Sequence, residues 1–281
     1  MEDKEHRNAI KAPPAAQTIS TGLAGPESVL YDPDQDVYFI SNINGGLLDR
    51  DNNGFISRVN AQSLAVDLKW IEGGKNGLNL DGPKGMAIAG DTLYVSDVTA
   101  VRKFDRRTGA PKGEIPLPGA TTINDLTTDG TRVWVSDTGI VPASGQTFFS
   151  SGTDAVWKIE NDHATKIASG RDLKQPNGLA WVNGSLWVVT FGGAELYQLD
   201  GGARKNVAQT PRGQLDGLVG LPDGTFFITS WDGMAIYRGK GGSFEPLLQA
   251  IPNPADIGYD TKRHLLLVPA SSSNRVTLHP V

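Results

Sequence analysis

Residues 124–126 (NDL) and 132–137 (RVWVSD) form the unit that decides the fold of this chain. A polar residue opens a short apolar strand, a turn follows, and a second strand ends near Ser or Thr. The same unit occurs six times, with its opening residue at Glu27, Lys84, Asn124, Asn177, Asp216 and Asp256. A unit of roughly 40 to 50 residues built from short strands is typical of propeller blades. The sequence therefore predicts an all-β fold, a six-bladed β-propeller with four-stranded blades.

The two ends of the chain suggest how the ring of blades closes. The last repeat contains one strand fewer than a four-stranded blade needs, and residues 17–21 (QTIST) form a β-prone segment before the first repeat. We expect this segment to be the missing outer strand, because joining both chain ends in one blade removes an open sheet edge. A loose N-terminal strand is the alternative. Residues 17–281 would then form one domain, preceded by a flexible leader at 1–16.

Composition excludes several classes of function. The chain has 281 residues with 34 Gly and 17 Pro, which suits many short strands joined by turns. A net charge of −5 without a basic stripe argues against a nucleic-acid partner, and no apolar run is long enough to span a membrane. There is no cysteine, so disulfide and thiolate chemistry are excluded. Oligomeric state is left open by the sequence.

The first residues are charged and lack the apolar segment of a signal peptide. We therefore expect either a cytoplasmic protein or the mature form of an exported (periplasmic or secreted) protein.

Two long connections, at 42–53 and 138–153, each follow the second strand of a blade and should emerge on the same face. Long loops gathered on one face of a rigid scaffold commonly carry binding sites. The position just past the second strand should rim that site, with Phe191 and Trp231 as its apolar wall, although exposed aromatic residues without a role are the alternative. The candidate substrate contacts at this register are Asn42, Asp97, Asp137, Phe191 and Trp231.

The opening residues of the repeats should point into the mouth of the central channel, because the first strand of each blade lines it. Oxygen atoms of Glu27, Asn124, Asn177 and Asp216 would converge there. Carboxylate and amide oxygens without His or Cys suit a hard cation, and Ca²⁺ is the best match. The structural alternative is that Asn and Asp simply begin strands, since both are good turn residues.

Four segments carry a resemblance to a known family: residues 26–28 (PES), 123–125 (IND), 175–178 (QPNG) and 215–217 (LDG). They resemble the metal-site segments of the senescence marker protein/gluconolactonase/luciferin-regenerating enzyme family of six-bladed propellers, along nearly the whole chain from about Gly25. The resemblance implies that Glu27, Asn177 and Asp216 bind a catalytic divalent cation and that Asn124 contacts the metal or the substrate. It also implies that Asp216 is the general base in lactone hydrolysis.

Lys84 departs from that pattern, since an ammonium group is unusual at a calcium site. It could stabilise a developing oxyanion as a catalytic residue, pair with Glu27 or Asp256 in place of the metal, or form a structural salt bridge. Asp256 completes the ring as a substrate contact, an outer acceptor or the partner of Lys84.

Two classes of function remain open at this stage. The first is a Ca²⁺-dependent hydrolase of a small lactone or related ester, in which the cation polarises the carbonyl and a carboxylate takes the proton. The second is a propeller of the NHL type that binds a small ligand or a protein without chemistry. The oxygen ring favours the enzyme, and Lys84 favours the binding module.

Overall fold

The computed structural model describes residues 17–143 and 147–281. These residues form six four-stranded antiparallel sheets arranged as a β-propeller, which confirms the predicted fold. The expected leader at 1–16 lies outside the described residues.

The strands of the first three blades follow the chain from the channel outward. Blade one contains β2 (Pro26–Asp32), β3 (Val37–Asn42), β4 (Phe55–Asn60) and β5 (Val66–Glu72). Blade two contains β6 (Met86–Ala89), β7 (Thr92–Ser96), β8 (Ala100–Asp105) and β9 (Pro111–Pro116). Blade three contains β10 (Ile123–Thr128), β11 (Val133–Asp137), β14 (Ala155–Glu160) and β15 (His163–Ser169), with the inserted hairpin β12 (Ile140–Pro142) and β13 (Phe148–Ser150).

The remaining blades repeat the arrangement. Blade four contains β16 (Pro176–Val182), β17 (Ser185–Thr190), β18 (Glu195–Asp200) and β19 (Ala203–Gln209). Blade five contains β20 (Leu215–Gly220), β21 (Thr225–Ser230), β22 (Ala235–Lys240) and β23 (Ser243–Gln249). Blade six contains β24 (Gly258–Asp260), β25 (Leu265–Ala270), β26 (Arg275–Pro280) and β1 (Gln17–Ile19). Short 3₁₀ turns lie at Arg171–Leu173 and Ser271–Ser273.

The N-terminal strand closes the ring as predicted. Strand β1 pairs antiparallel with β26, and Ile19 lies opposite Val276. Ile19 is buried in the apolar layer between blades six and one. The observed strand covers 17–19, which is shorter than the predicted segment 17–21. The outer edge of blade six is therefore formed by the start of the domain, and its core couples the two chain ends.

Apolar layers between neighbouring blades hold the ring together. Alternate residues of each strand face opposite sides of its sheet, so each blade contributes to two such layers. The layer between blades two and three combines Ala87 and Val101 with Ile123 and Val135, all of them buried. The strands next to the channel also approach one another closely. A Cβ atom at Gly178 would lie 2.3 Å from the carbonyl oxygen of Asp216, so only glycine fits there.

A β-bulge interrupts the first pair of strands in four of the six blades. The bulges fall between Pro26 and Val29, Ile123 and Leu126, Pro176 and Leu179, and Leu215 and Leu218. In blades two and six the first strand begins only at Met86 and Gly258. Bulges redirect side chains and are frequent beside functional sites. Each of these four bulges contains the opening residue of its blade.

Among the described residues, no helix is long and apolar enough to cross a membrane.

Candidate functional site

A cavity of about 480 Å³ lies at one mouth of the channel. Its polar floor consists of Glu27, Asn124, Asn177 and Asp216, which we call the mouth ring. Each of the four is the second residue of its strand and lies within a bulge. All four are buried in the fold, with 2–6% of their surface exposed. The structure therefore brings the four predicted metal ligands together at one cavity.

Two oxygen atoms of the mouth ring are buried without a hydrogen-bond partner. They are Oε2 of Glu27 and Oδ1 of Asn177. Buried acceptors normally have a hydrogen-bond partner, because an unpaired one loses the hydrogen bonds that it makes with water in the unfolded chain. Burial, followed by the negative charges of Asp216 and Asp256, raises the pKa of Glu27 well above its usual value, while Lys84 lowers it. This end of the channel therefore contains buried oxygen atoms that could accept a further partner.

Asp216 lies between the mouth ring and the aromatic part of the wall. The indole Nε1–H of Trp231 donates to its Oδ2 at 2.9 Å. Burial is the main cause that raises the pKa of Asp216 to about 7, the charge of Asp256 adds to it, and hydrogen bonds from Trp231 and Asn177 act in the opposite direction. A carboxyl group with such a pKa exchanges a proton readily near neutral pH.

Asn124 is oriented by its neighbour on the next strand connection. Its Nδ2 donates to Oγ1 of Thr138 at 3.0 Å. This bond occupies the amide nitrogen and turns the carbonyl end of the side chain away from Thr138. The oxygen is the end that a cation would need.

The walls of the cavity are mostly apolar and come from the two long connections and the ends of second strands. Both long connections contribute to it, which confirms that they emerge on one face. Phe191 and Trp231 lie in the wall, as expected, and Phe148 of the β12–β13 hairpin packs against both. The remaining apolar lining consists of Ile43, Leu47, Leu48, Ile140, Pro142 and Ala255.

Three residues expected to rim the pocket do not line it. Asn42, Asp97 and Asp137, which we call the clasp residues, are completely buried. Each accepts hydrogen bonds from backbone amides just ahead of the first strand of its own blade. The donors are Ala24 for Asn42, Asp81 and Gly82 for Asp97, and Thr121 and Thr122 for Asp137. The expectation of a substrate-binding rim is therefore wrong at these positions, because short polar side chains there bind the backbone instead.

Lys84 also lies away from the cavity. It is completely buried, and its Nζ donates to the carbonyl oxygen of Gly82 at 2.9 Å. Across residues 17–143 and 147–281, no carboxylate lies within the 4.0 Å of an ion pair with this ammonium group, so the expected pairing with Glu27 or Asp256 is not formed. Burial lowers the pKa of Lys84, and the charges of Glu27, Asp97 and Asp81 oppose that shift. An ammonium outside the cavity lining does not contact a substrate oxyanion.

Asp256 faces the other end of the channel. It lines a second cavity of about 210 Å³ together with Asp125. Its Oδ2 accepts a hydrogen bond of 2.6 Å from Ser28, and burial raises its pKa to about 7. Asp256 does not complete the ring as a substrate contact, because it is one residue out of register. Pro254 pairs with Ala270 as Pro26 pairs with Asn42, so Ala255 takes the position of Glu27 and Asp256 that of Ser28.

The mouth ring can be compared with the needs of a metal ion. The described part of the chain contains no group of three or more His, Cys, Asp or Glu side chains placed to bind a metal. The ring instead offers two carboxylates and two amides, an oxygen donor set that suits Ca²⁺ and other hard cations better than metals that prefer His or Cys ligands. The unpartnered oxygens of Glu27 and Asn177 agree with that donor set.

Known structures share the fold at low sequence identity. A protein assigned as a gluconolactonase has a TM-score of 0.66 and 16% identity, covering 95% of this chain and 93% of that one. Virginiamycin B lyase from Staphylococcus aureus has a TM-score of 0.66 and 14% identity, covering 95% and 99%. A nidogen/laminin complex has a TM-score of 0.60 and 15% identity, covering 76% and 75%. No protein-family model matches the chain, and no curated protein matches it.

Sequence reasoning missed part of the wall. Leu47 and Leu48 lie in an irregular connection without periodicity, so nothing marked them as lining residues. A signal did exist for the clasp residues: Asn and Asp at that register can bind backbone amides, whereas Phe191 and Trp231 cannot.

Proposed function

We propose that this protein is a divalent-cation-dependent hydrolase of a lactone or related ester, with Ca²⁺ as the ion. The observation that carries the proposal is the mouth ring itself. Unpartnered buried oxygens of Glu27 and Asn177 lie beside the Asp216 carboxyl group, on the floor of a cavity of about 480 Å³. The fold shared with a protein assigned as a gluconolactonase is consistent with this choice.

Glu27, Asn124, Asn177 and Asp216 would hold the ion. When bound, such an ion polarises an ester carbonyl and makes water easier to ionise. The chain itself positions the reaction. The four bulges fix the ring, the bond from Thr138 orients Asn124, and the wall around Trp231 limits access of bulk water.

Asp216 would act as the general base. Its carboxylate takes a proton from the water that attacks the carbonyl carbon. The ring C–O bond then breaks, the leaving oxygen takes up a proton, and the product is a hydroxy acid. The hydrogen bond from Trp231 to Oδ2 holds the carboxyl group in one orientation during this transfer.

The test is a panel of sugar lactones, aliphatic lactones and aryl esters with added Ca²⁺, Mn²⁺, Zn²⁺ or Mg²⁺. Asp216→Asn keeps the shape and removes the base, so we expect kcat to fall by roughly 10²–10⁴. Asp232→Asn, at an exposed position just past Trp231, is the matched control and should keep full activity. Turnover of no panel member, or full activity of Asp216→Asn, contradicts the proposal.

A propeller that binds a ligand without chemistry is the second candidate. Lys84 favours it, because this buried cation lowers the pKa of Glu27 and so offsets part of the charge that a metal would neutralise. In that case ligand binding should be insensitive to chelator, and no ester in the panel should be consumed.

A further inference from the structure

The cavity above the mouth ring is divided into a polar floor and apolar walls. On one side the wall is aliphatic and consists of Ile43, Leu47 and Leu48 from the connection after β3. On the other side it is aromatic and consists of Phe148, Phe191 and Trp231. A lactone ring bound at the floor would therefore have its substituents between two apolar surfaces.

The aromatic wall offers no polar group to a ligand. Its three rings pack edge to face, with centroids 5.5 Å apart for Phe148 and Phe191, and 5.4 Å apart for Phe191 and Trp231. The only donor among them, the Nε1–H of Trp231, is already bonded to Asp216. The rings therefore present carbon edges and faces that suit an apolar group.

Beyond the mouth ring, the lining has four polar side chains, Asp49, Asn253, Ser271 and Ser272, and none of them belongs to the aliphatic or the aromatic wall. Asp49 and Ser272 are exposed, and Asp49 already accepts the amide of Gly46 at 2.7 Å. Ser271 donates to the carbonyl oxygen of Pro26 at 2.7 Å. A sugar lactone carries hydroxyl groups around its ring, and those that face the two walls would be buried against carbon without a partner.

We propose that the substrate is a lactone with an apolar alkyl or aryl arm in place of ring hydroxyls, and that Leu47, Leu48 and the three aromatic rings select this arm. This inference rests on the proposed function and specifies its substrate class. The ester group lies over the mouth ring, and the arm extends between the aliphatic and the aromatic wall. Selection follows from burial, since each buried methylene contributes about 4-fold in affinity.

Three six-membered lactones separate the possibilities: δ-valerolactone without substituents, δ-decalactone with a pentyl arm, and glucono-1,5-lactone with hydroxyl groups. We expect kcat/KM for δ-decalactone to exceed that for δ-valerolactone by at least about 30-fold, because several methylenes become buried. Glucono-1,5-lactone should be the poorest of the three. Equal or better turnover of glucono-1,5-lactone overturns the substrate assignment and leaves the hydrolase intact. Turnover of none of them contradicts the hydrolase, and the substrate assignment falls with it.

Variants locate the selection in the wall. Leu47→Ser and Leu48→Ser should each raise KM for δ-decalactone by roughly 10-fold and change KM for δ-valerolactone little. The single variant Leu48→Met should keep the wild-type KM for δ-decalactone, because methionine has a similar apolar volume to leucine. Val207→Ser, at a 48% exposed position on β19, is the matched control without effect. An equal change for both lactones would contradict a role in selection.

A binding experiment removes the dependence on catalysis. The pentyl-substituted δ-lactam is not hydrolysed readily and has the shape of δ-decalactone. Calorimetry on chelator-treated protein should show it binding at least about 30-fold tighter than unsubstituted δ-valerolactam. Equal affinities would contradict the apolar subsite, whatever the ester assays give.

Discussion

The mouth ring and the clasp residues are two sets of polar side chains at the same end of the channel, and they differ in how their oxygens are used. Both sets are buried. The clasp residues use their acceptor oxygens for hydrogen bonds within their own blades. Asp97 accepts hydrogen bonds from two backbone amides and from the Nε–H of Arg102, and Asp137 accepts hydrogen bonds from three backbone amides. In the mouth ring, Glu27 and Asn177 each keep an unpartnered oxygen.

This difference separates a structural role from a binding role. A carboxylate that accepts several amide hydrogen bonds stabilises the fold and has little capacity left for a ligand. A buried oxygen without a partner reduces the stability of the empty protein, and evolution keeps such groups mainly where something else binds. Burial alone does not distinguish the two sets.

The largest expected effect concerns the closing strand β1, which ends five residues before Ala24, the residue held by the Asn42 clasp. Deleting residues 1–22 removes β1 with its buried Ile19 and should lower the free energy of unfolding by about 3–5 kcal/mol. Deleting residues 1–16 should be tolerated. Urea unfolding of both truncations measures this, and equal stability would show that the ring does not need closing.

Removal of a clasp residue should be the next largest effect. Asp137→Ala leaves the amides of Thr121, Thr122 and Gly139 buried without their acceptor. We expect a loss of about 2–3 kcal/mol in the free energy of unfolding. Asp232→Ala, at an exposed position, is the control and should change it by less than about 0.5 kcal/mol. A neutral Asp137→Ala would mean that the clasp is not structural.

The mouth ring should respond in the opposite direction. Glu27→Gln removes a buried carboxyl group whose charge is disfavoured by burial and by Asp216 and Asp256. In chelator-treated protein at pH 7, thermal unfolding should show a gain of about 1 kcal/mol. A loss as large as that of Asp137→Ala would remove the distinction between the two sets.

The smallest effect on the free energy of unfolding is expected for Asp36, a carboxylate that pairs with Lys and Arg side chains near the surface. Asp36 accepts hydrogen bonds from Arg263 and Lys262, which join blades one and six and lower its pKa. Asp36→Asn should reduce stability by about 0.5–1 kcal/mol at pH 7. The pKa of Asp36 is lower in the folded than in the unfolded state. Its contribution to stability is therefore fully present when the pH is above the unfolded-state pKa of about 3.9, and it is lost progressively as the pH falls below that value. Wild type and variant should thus converge in acid, and a constant difference down to pH 2 would contradict the ion pair.

Much of the fold was predictable from the sequence, because strand alternation and turn residues are local signals that occur six times. The mouth ring was predictable for the same reason. Its distinction from Lys84 and Asp256 was not, because Asp256 lies one residue out of register with Glu27, and Lys84 turns back to the carbonyl oxygen of Gly82. The residue types of the clasp indicated that they could bind backbone amides, but the donors lie in connections whose path has no sequence periodicity, so the partners were not predictable.

Calorimetric titration of exhaustively chelated protein with Ca²⁺ tests the central claim most directly. We expect one Ca²⁺ per chain, an affinity reduced at least about 100-fold in Glu27→Gln and Asp216→Asn, and unchanged affinity in the exposed control Asp232→Asn. Absence of Ca²⁺ binding to the wild-type protein, or equal affinity in all four proteins, would contradict the assignment of the mouth ring as a cation site and would leave Lys84 as the charge that balances Glu27.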